Sequence, residues 1–159
     1  MAHLAPPIDI GIPANQRLEI AEGLGRLLAD SYVLYGKTHG FHWNVTGAMF
    51  TSLHAMFMTQ YTELWASLDE IAERIRSLGA FAPGSSAELL EGATIVPDNG
   101  VPEAGDMIVS LARGHETIAR IARRGIKIAA AVDDDVTADL MTQRATIADK
   151  TAWMLRASL

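Results

Sequence analysis

The 159-residue chain contains no cysteine, which removes disulfides, thiolate-bound zinc and cysteine nucleophiles at once and leaves the redox compartment open. Any metal it holds must take nitrogen and oxygen ligands. No apolar run approaches the ~18 residues of a membrane-spanning helix. The opening MAHLAPPIDIGIPANQ has no basic segment leading into an apolar core, so it does not read as a secretory signal. Basic residues are scarce, with 13 Lys and Arg against 19 Asp and Glu, and none falls within residues 1–16. A formal charge of −6 favours cations and repels nucleic acid. Convincing period-2 alternation is missing as well, which argues against a sheet. These absences predict a soluble, cytoplasmic, all-α protein forming a single domain over residues 1–159, with 1–14 a short non-basic tail.

Helical periodicity fills most of the chain. A first helix is expected from about Asn15, after Pro13, carrying Leu18, Ile20, Leu24, Leu27, Leu28, Tyr32 and Leu34 toward Trp43, with NVTG ending it. A second is expected from about Thr51 to Leu78, stopped by Gly79. The connection that follows is long, and SSAELLEG within it fits a short helix. A third helix fits Pro102 to Ala131 and a fourth Val136 to Ala157, after the acidic turn DDD, whose charges suit a helix N-terminus. Four long helices imply a bundle.

The second helix carries the chemistry. At ~100° per residue, Leu53, Phe57, Tyr61, Leu64, Leu68, Ile71, Ile75 and Leu78 form a core wedge. A neighbouring wedge collects His54, Met58, Thr62, Trp65, Asp69 and Glu73, where a large aromatic stands among potential ligands. Asp69 and Glu73 at i,i+4 place two carboxylates side by side. That spacing also describes a solvated face, as Glu70 with Arg74 on the same helix does, and His42 and His54 taken alone also fit structural histidines. Rise decides how the pairs can meet: His54 and Asp69 lie ~22 Å apart along one helix and cannot share a metal within one chain. Two copies of the helix, antiparallel about a twofold near Tyr61 and Thr62, bring His54 of one level with Asp69 of the other.

The segment KTHGFHWNVTGAMFTSLHAMFMTQYTELWASLDEIAERIRSLG resembles the signature of the Dps family, ferritin-like DNA-binding proteins from starved cells. HWN, a histidine twelve residues on, and D-x-I-A-E-R fifteen further stand at the family's spacing. The resemblance extends over essentially the whole chain, to DKTAWMLRA in the last helix. It implies a ferritin-like four-helix bundle with a short extra helix between the second and third long helices, assembled from twofold dimers into a hollow homo-oligomer of twelve. The implied activity is that of a ferroxidase: iron(II) is oxidised by peroxide or oxygen at inter-subunit sites and stored as ferric mineral, protecting against oxidative damage. The implied iron ligands are His42, His54, Asp69 and Glu73. Mixed imidazole and carboxylate ligation suits ferrous iron.

Further expectations attach to single residues. Trp43, beside His42, is placed to give up an electron to a stray oxidising equivalent, or else to pack at the helix end. His39, one turn before His42, is either a metal-delivery residue or a surface histidine. Asp135 and Asp139 match positions lining the family's threefold pores, where symmetry multiplies each carboxylate into a ring; capping by Asp133 to Asp135 is the alternative for the first of them. Met58 departs from the family, which normally has an acidic residue there to assist a second iron, and a thioether is a poor ferrous ligand. The alternative function is a nucleoid-binding architectural protein. DNA binding is read as unlikely because the tail lacks the basic charge that phosphate binding requires, although Arg113, Arg120, Arg124 and Lys127 follow one face of the third long helix, interrupted by Glu116.

Overall fold

The computed structural model describes residues 6–159; the first part of the expected non-basic tail, residues 1–5, lies outside them. Five helices follow in order: α1 (Ala14–Asn44), α2 (Phe50–Ser77), α3 (Ser86–Gly92), α4 (Ala104–Ala130) and α5 (Asp135–Arg156), with no strand among the described residues. The four long helices and the short one fall where the sequence places them, with ends shifted by one or two residues. None is long and apolar enough to cross a membrane.

Local chemistry sets the boundaries. Pro13 precedes α1 in extended conformation, with φ −55° and ψ 144°. At the other end Val45 turns extended and donates its N–H to Phe41 O at 2.9 Å. The chain reverses through Gly47, φ 104°, and α2 runs back along α1. The end of α2 is a Schellman closure: Gly79 sits at φ 86°, its N–H reaching Arg76 O at 3.0 Å and that of Ala80 reaching Ile75 O at 3.3 Å. A Cβ on Gly79 would lie 2.8 Å from Ile8 Cγ2, so the site excludes a side chain on two counts. α3 opens with a capping box between Ser85 and Glu88. α5 opens on Asp134, whose carboxylate accepts from Thr137 N–H at 3.0 Å, from Thr137 Oγ1 at 2.5 Å and from Arg74 Nη2 at 2.8 Å.

α1 packs along α2, α4 packs along α5, and the two hairpins join chiefly through α1 and α4, whereas α2 and α5 touch at few points. Gly114 permits the close α1–α4 approach, since a Cβ there would meet Leu34 Cδ1 at 2.4 Å. The core fills with Leu24, Leu27, Leu34, Leu53, Phe57, Leu64, Ile71, Met107, Leu111 and Ile118, all within 1% of full burial. Leu18 is 55% exposed, because two residues before Ile20 it lies ~200° round the helix, away from α2 and α4. Arg74 does not pair with Glu70; its guanidinium reaches across to Asp134 and Thr137, a buried acceptor set outcompeting a solvated neighbour.

Candidate metal centre

The last turn of α1 and the first turns of α2 meet at two histidines. His42 Nδ1 lies 2.7 Å from His54 O, and His54 Nδ1 lies 2.8 Å from His42 O. A carbonyl oxygen only accepts, so each ring must carry its proton on Nδ1. The exchange ties the two helices together, and in a neutral ring it leaves the lone pair on Nε2, which is unbonded to any described residue. A backbone carbonyl holding the far nitrogen is the arrangement metal-binding histidines use to orient their lone pair. The rings stack at 3.8 Å between centroids, 19° from parallel, so the two nitrogens are presented as a pair.

Asp69 and Glu73 stand on the exposed face of α2, and neither carboxylate is bonded to a described side chain. Among the described residues no three or more histidine, aspartate or glutamate side chains gather to hold a metal within the chain. The structure thus brings His42 and His54 together and leaves Asp69 and Glu73 at the far half of the helix, as the ~22 Å separation requires. Between the histidine pair and the carboxylate pair α2 exposes Met58 (48%) and Trp65 (61%), large apolar side chains uncovered in the single chain.

Beside the histidines lies an aromatic cluster that the sequence does not announce. His39 is half-buried rather than a surface residue. Its ring stacks on Tyr61 at 4.0 Å and lies 4.2 Å from Trp43, and its Nδ1 pairs with Tyr35 Oη at 3.1 Å. Burial first, and the His42 ring second, hold His39 below the usual histidine value. Trp43 is 67% exposed, so packing at the end of its own helix does not account for it.

The four aspartates near α5 separate by role. Asp134 alone caps the helix and is buried. Burial opposes its charge, but the bonds from Thr137 and Arg74 prevail and its carboxyl is held below the ordinary value. Asp135 and Asp139 are exposed, Asp139 accepting from Gln143 Nε2 at 2.7 Å. An open cleft beside Asp139 is lined by Glu70, Glu73, Arg74, Asp139 and Gln143 among others, so Asp139 and Glu73 share one surface.

Inside the bundle, ferritin-like di-iron centres use a Glu from each of two helices and a Glu-x-x-His from each of two others. This chain has no Glu-x-x-His. Its interior holds instead an ion pair, with Arg144 Nη1 and Nη2 on the two carboxylate oxygens of Glu63; the guanidinium, 4% exposed, supplies the positive charge. The histidine pair and the free carboxylates of Asp69 and Glu73 lie instead on the outer α1–α2 face.

A bundle of four long helices with a helix in its long crossover is the ferritin-like architecture, and the family model described as a ferritin-like domain matches residues 21–159. Among curated relatives, DNA protection during starvation protein 2 of Bacillus anthracis is 37% identical over 89% of this chain and 97% of its own length. A low temperature-induced protein of Nostoc is 38% identical over 95% of this chain and 86% of its own length. Among solved structures, a Dps protein from Vibrio cholerae O1, described as a member of a broad superfamily of ferritin-like diiron-carboxylate proteins, superposes with a TM-score of 0.91 at 32% identity, covering 99% of this chain and 98% of that one. The chain belongs to the Dps family. Membership ties it, in general terms, to iron storage and DNA protection.

Proposed function

We propose that the chain is a ferroxidase subunit that oxidises iron(II) at sites shared across a twofold dimer and stores the ferric product inside a hollow dodecamer. The observation that supports this best is the reciprocal His42–His54 bond, which frees two Nε2 lone pairs at the edge of a face whose matching carboxylates stand elsewhere on the same helix. In the antiparallel register about Tyr61 and Thr62, His54 stands level with the partner's Asp69 and Met58 with the partner's Trp65, so one contact would cover the exposed apolar face and assemble both sites. Burying a methionine side chain contributes roughly 1.5–3 kcal/mol, with a further fraction from sulfur against an indole.

The reaction follows from the electron count. Peroxide takes two electrons and two protons to become two waters, one electron from each of two ferrous ions, so no hydroxyl radical is released. His42, with the partner's Asp69 and Glu73, holds the first iron, and His54 faces the second. Where the second is absent, one electron is missing, and Trp43, within the Tyr35–His39–Tyr61 cluster, is placed to give it. Calorimetric titration of the assembled protein with ferrous iron under anaerobic conditions tests the reading; saturable binding lost in an Asp69→Ala/Glu73→Ala chain is expected, and its retention contradicts it.

Iron entry is assigned to Asp135 and Asp139, with the cleft leading toward Glu73. Removing one charge per subunit from a threefold ring weakens a multiplied field. Asp139→Asn is expected to slow iron uptake severalfold at low salt with the shell intact. Rates of ferric absorbance, read beside sedimentation of the same sample, check it; unchanged rates would assign Asp139 to its bond with Gln143 alone.

A second reading, coating of DNA, gains one observation. Glu116, which interrupts the basic stripe in sequence, is held by Arg156 at 3.0 and 2.9 Å. That leaves Arg113, Arg120, Arg124 and Lys127 exposed within a wedge of about 60° on α4. Phosphate binding through this stripe would be steeply salt-dependent. Retardation of plasmid at neutral pH that disappears with added salt and in an Arg120→Ala/Arg124→Ala chain supports this second activity; free migration of plasmid at low salt leaves iron storage alone.

A further inference from the structure

On the shared-site reading each chain contributes to two sites, His42 and His54 to one and Asp69 and Glu73 to the other. The two pairs lie ~22 Å apart along α2, too far for a single electron-transfer step, since tunnelling falls off exponentially with distance. Aromatic rings fill the interval. Between centroids, the His42 ring stands 5.1 Å from Tyr61 and 6.2 Å from His39, and those two rings stack on each other at 4.0 Å. Tyr35, from α1, lies 5.6 Å from His39 and 5.4 Å from Trp65. Trp65 in turn stands one turn before Asp69 on the same face of α2. Within one chain the row thus runs from the histidine pair to the carboxylate pair, with Trp43 a branch 4.2 Å from His39.

Ring type matters as much as spacing. Phenylalanine would pack as well, but tryptophan and tyrosine are the side chains that surrender an electron most readily. An oxidised phenol must also shed its proton. Tyr35 Oη lies 3.1 Å from His39 Nδ1, so a ring nitrogen stands ready to take that proton and return it. The chemistry supplies the demand: with Met58 in place of an anionic donor, each site holds one iron firmly, whereas peroxide needs two electrons.

We propose that Tyr35 and Trp65 form a relay through which the two sites of a dimer pool their electrons, so that one iron at each site serves one peroxide. The proposal rests on the shared-site reading above. Peroxide at one site takes an electron from the iron there as its O–O bond breaks. The second electron comes from the iron at the other site, by way of Trp65, Tyr35 and His39. Two protons from solvent complete two waters, and both irons end ferric. The Tyr35 proton crosses to His39 and back, so it drops out of the balance. With iron in excess, the weak second position supplies the electron locally.

The test uses the full-length assembled protein, loaded anaerobically with one ferrous ion per site and mixed with one hydrogen peroxide per dimer. In the unaltered protein both irons should turn ferric in one phase, with no lasting radical in the electron paramagnetic resonance spectrum. Tyr35→Phe and Trp65→Phe keep an aromatic ring in place but remove the electron donor. Each should oxidise one iron in the fast phase, slow the second severalfold, and leave an aromatic radical, while calorimetric ferrous binding stays unchanged. Mixed dimers of His42→Ala/His54→Ala chains with Asp69→Ala/Glu73→Ala chains retain one intact site and have no second iron to draw on. They should leave the same radical although Tyr35 and Trp65 are intact, which a packing role for these rings would not produce. Oxidation of both irons in one phase without a radical, in both phenylalanine variants, overturns the relay and leaves the shared site standing. Absence of saturable ferrous binding in the unaltered protein removes the shared site and the relay together.

Discussion

The chain carrying His42→Ala and His54→Ala together is expected to fold and assemble yet lose iron oxidation by on the order of 100-fold or more. Loss of a group that merely orients a metal-binding histidine costs 10–100-fold, so removing both nitrogen donors costs at least that. Stability should fall less steeply. Each substitution deletes one Nδ1–H bond to a carbonyl, worth about 1 kcal/mol apiece, while Phe41, Leu53 and Phe57 keep the α1–α2 contact buried. Ferrous oxidation by limiting peroxide, followed through ferric absorbance, reads the first effect, and thermal melting reads the second. A native rate in the folded variant would place the chemistry elsewhere.

Met58→Glu is expected to act in the opposite direction. Met58 is 48% exposed on α2, one turn after His54. A thioether there denies a second ferrous ion its anionic donor. The unaltered protein should therefore hold one iron per site firmly and a second weakly. The variant should tighten the second by about tenfold and speed oxidation, because two electrons are then at hand for each peroxide. The substitution also takes a sulfur from the twofold contact, so dimer stability should decline slightly. Anaerobic titration with ferrous iron resolves the two binding steps; two equally tight ions in the unaltered protein, unchanged by Met58→Glu, would show that water or another group already fills the position.

The fold was legible because its signals are periodic and local: wedges of leucine and isoleucine, Pro13 and Gly79 at helix ends, the Ser85–Glu88 cap. Leu18 lies in the expected helix, but its angle, ~200° from Ile20, leaves it exposed. The proposed ligand set His42, His54, Asp69 and Glu73 rests on spacing and family resemblance. What spacing could not show was the reciprocal backbone bond that sets both tautomers, since it depends on how the Val45–Met49 turn aims α2 back at α1. Partner choice was equally hidden. Arg74 with Asp134, Arg144 with Glu63 and Arg156 with Glu116 each span 40 residues or more, and no local pattern distinguishes them from Glu70 with Arg74.

The central claim is that one site takes ligands from two chains. Chains lacking the histidines (His42→Ala/His54→Ala) and chains lacking the carboxylates (Asp69→Ala/Glu73→Ala) are each inactive on this account. In a dimer of one with the other, one of the two sites is wholly native and the other has lost every ligand. Random mixing makes about half the dimers mixed, so about a quarter of the native oxidation rate should return once dimers exchange, with the mixed fraction measured by native mass spectrometry. No recovery in dimers shown to be mixed and folded would contradict the shared site.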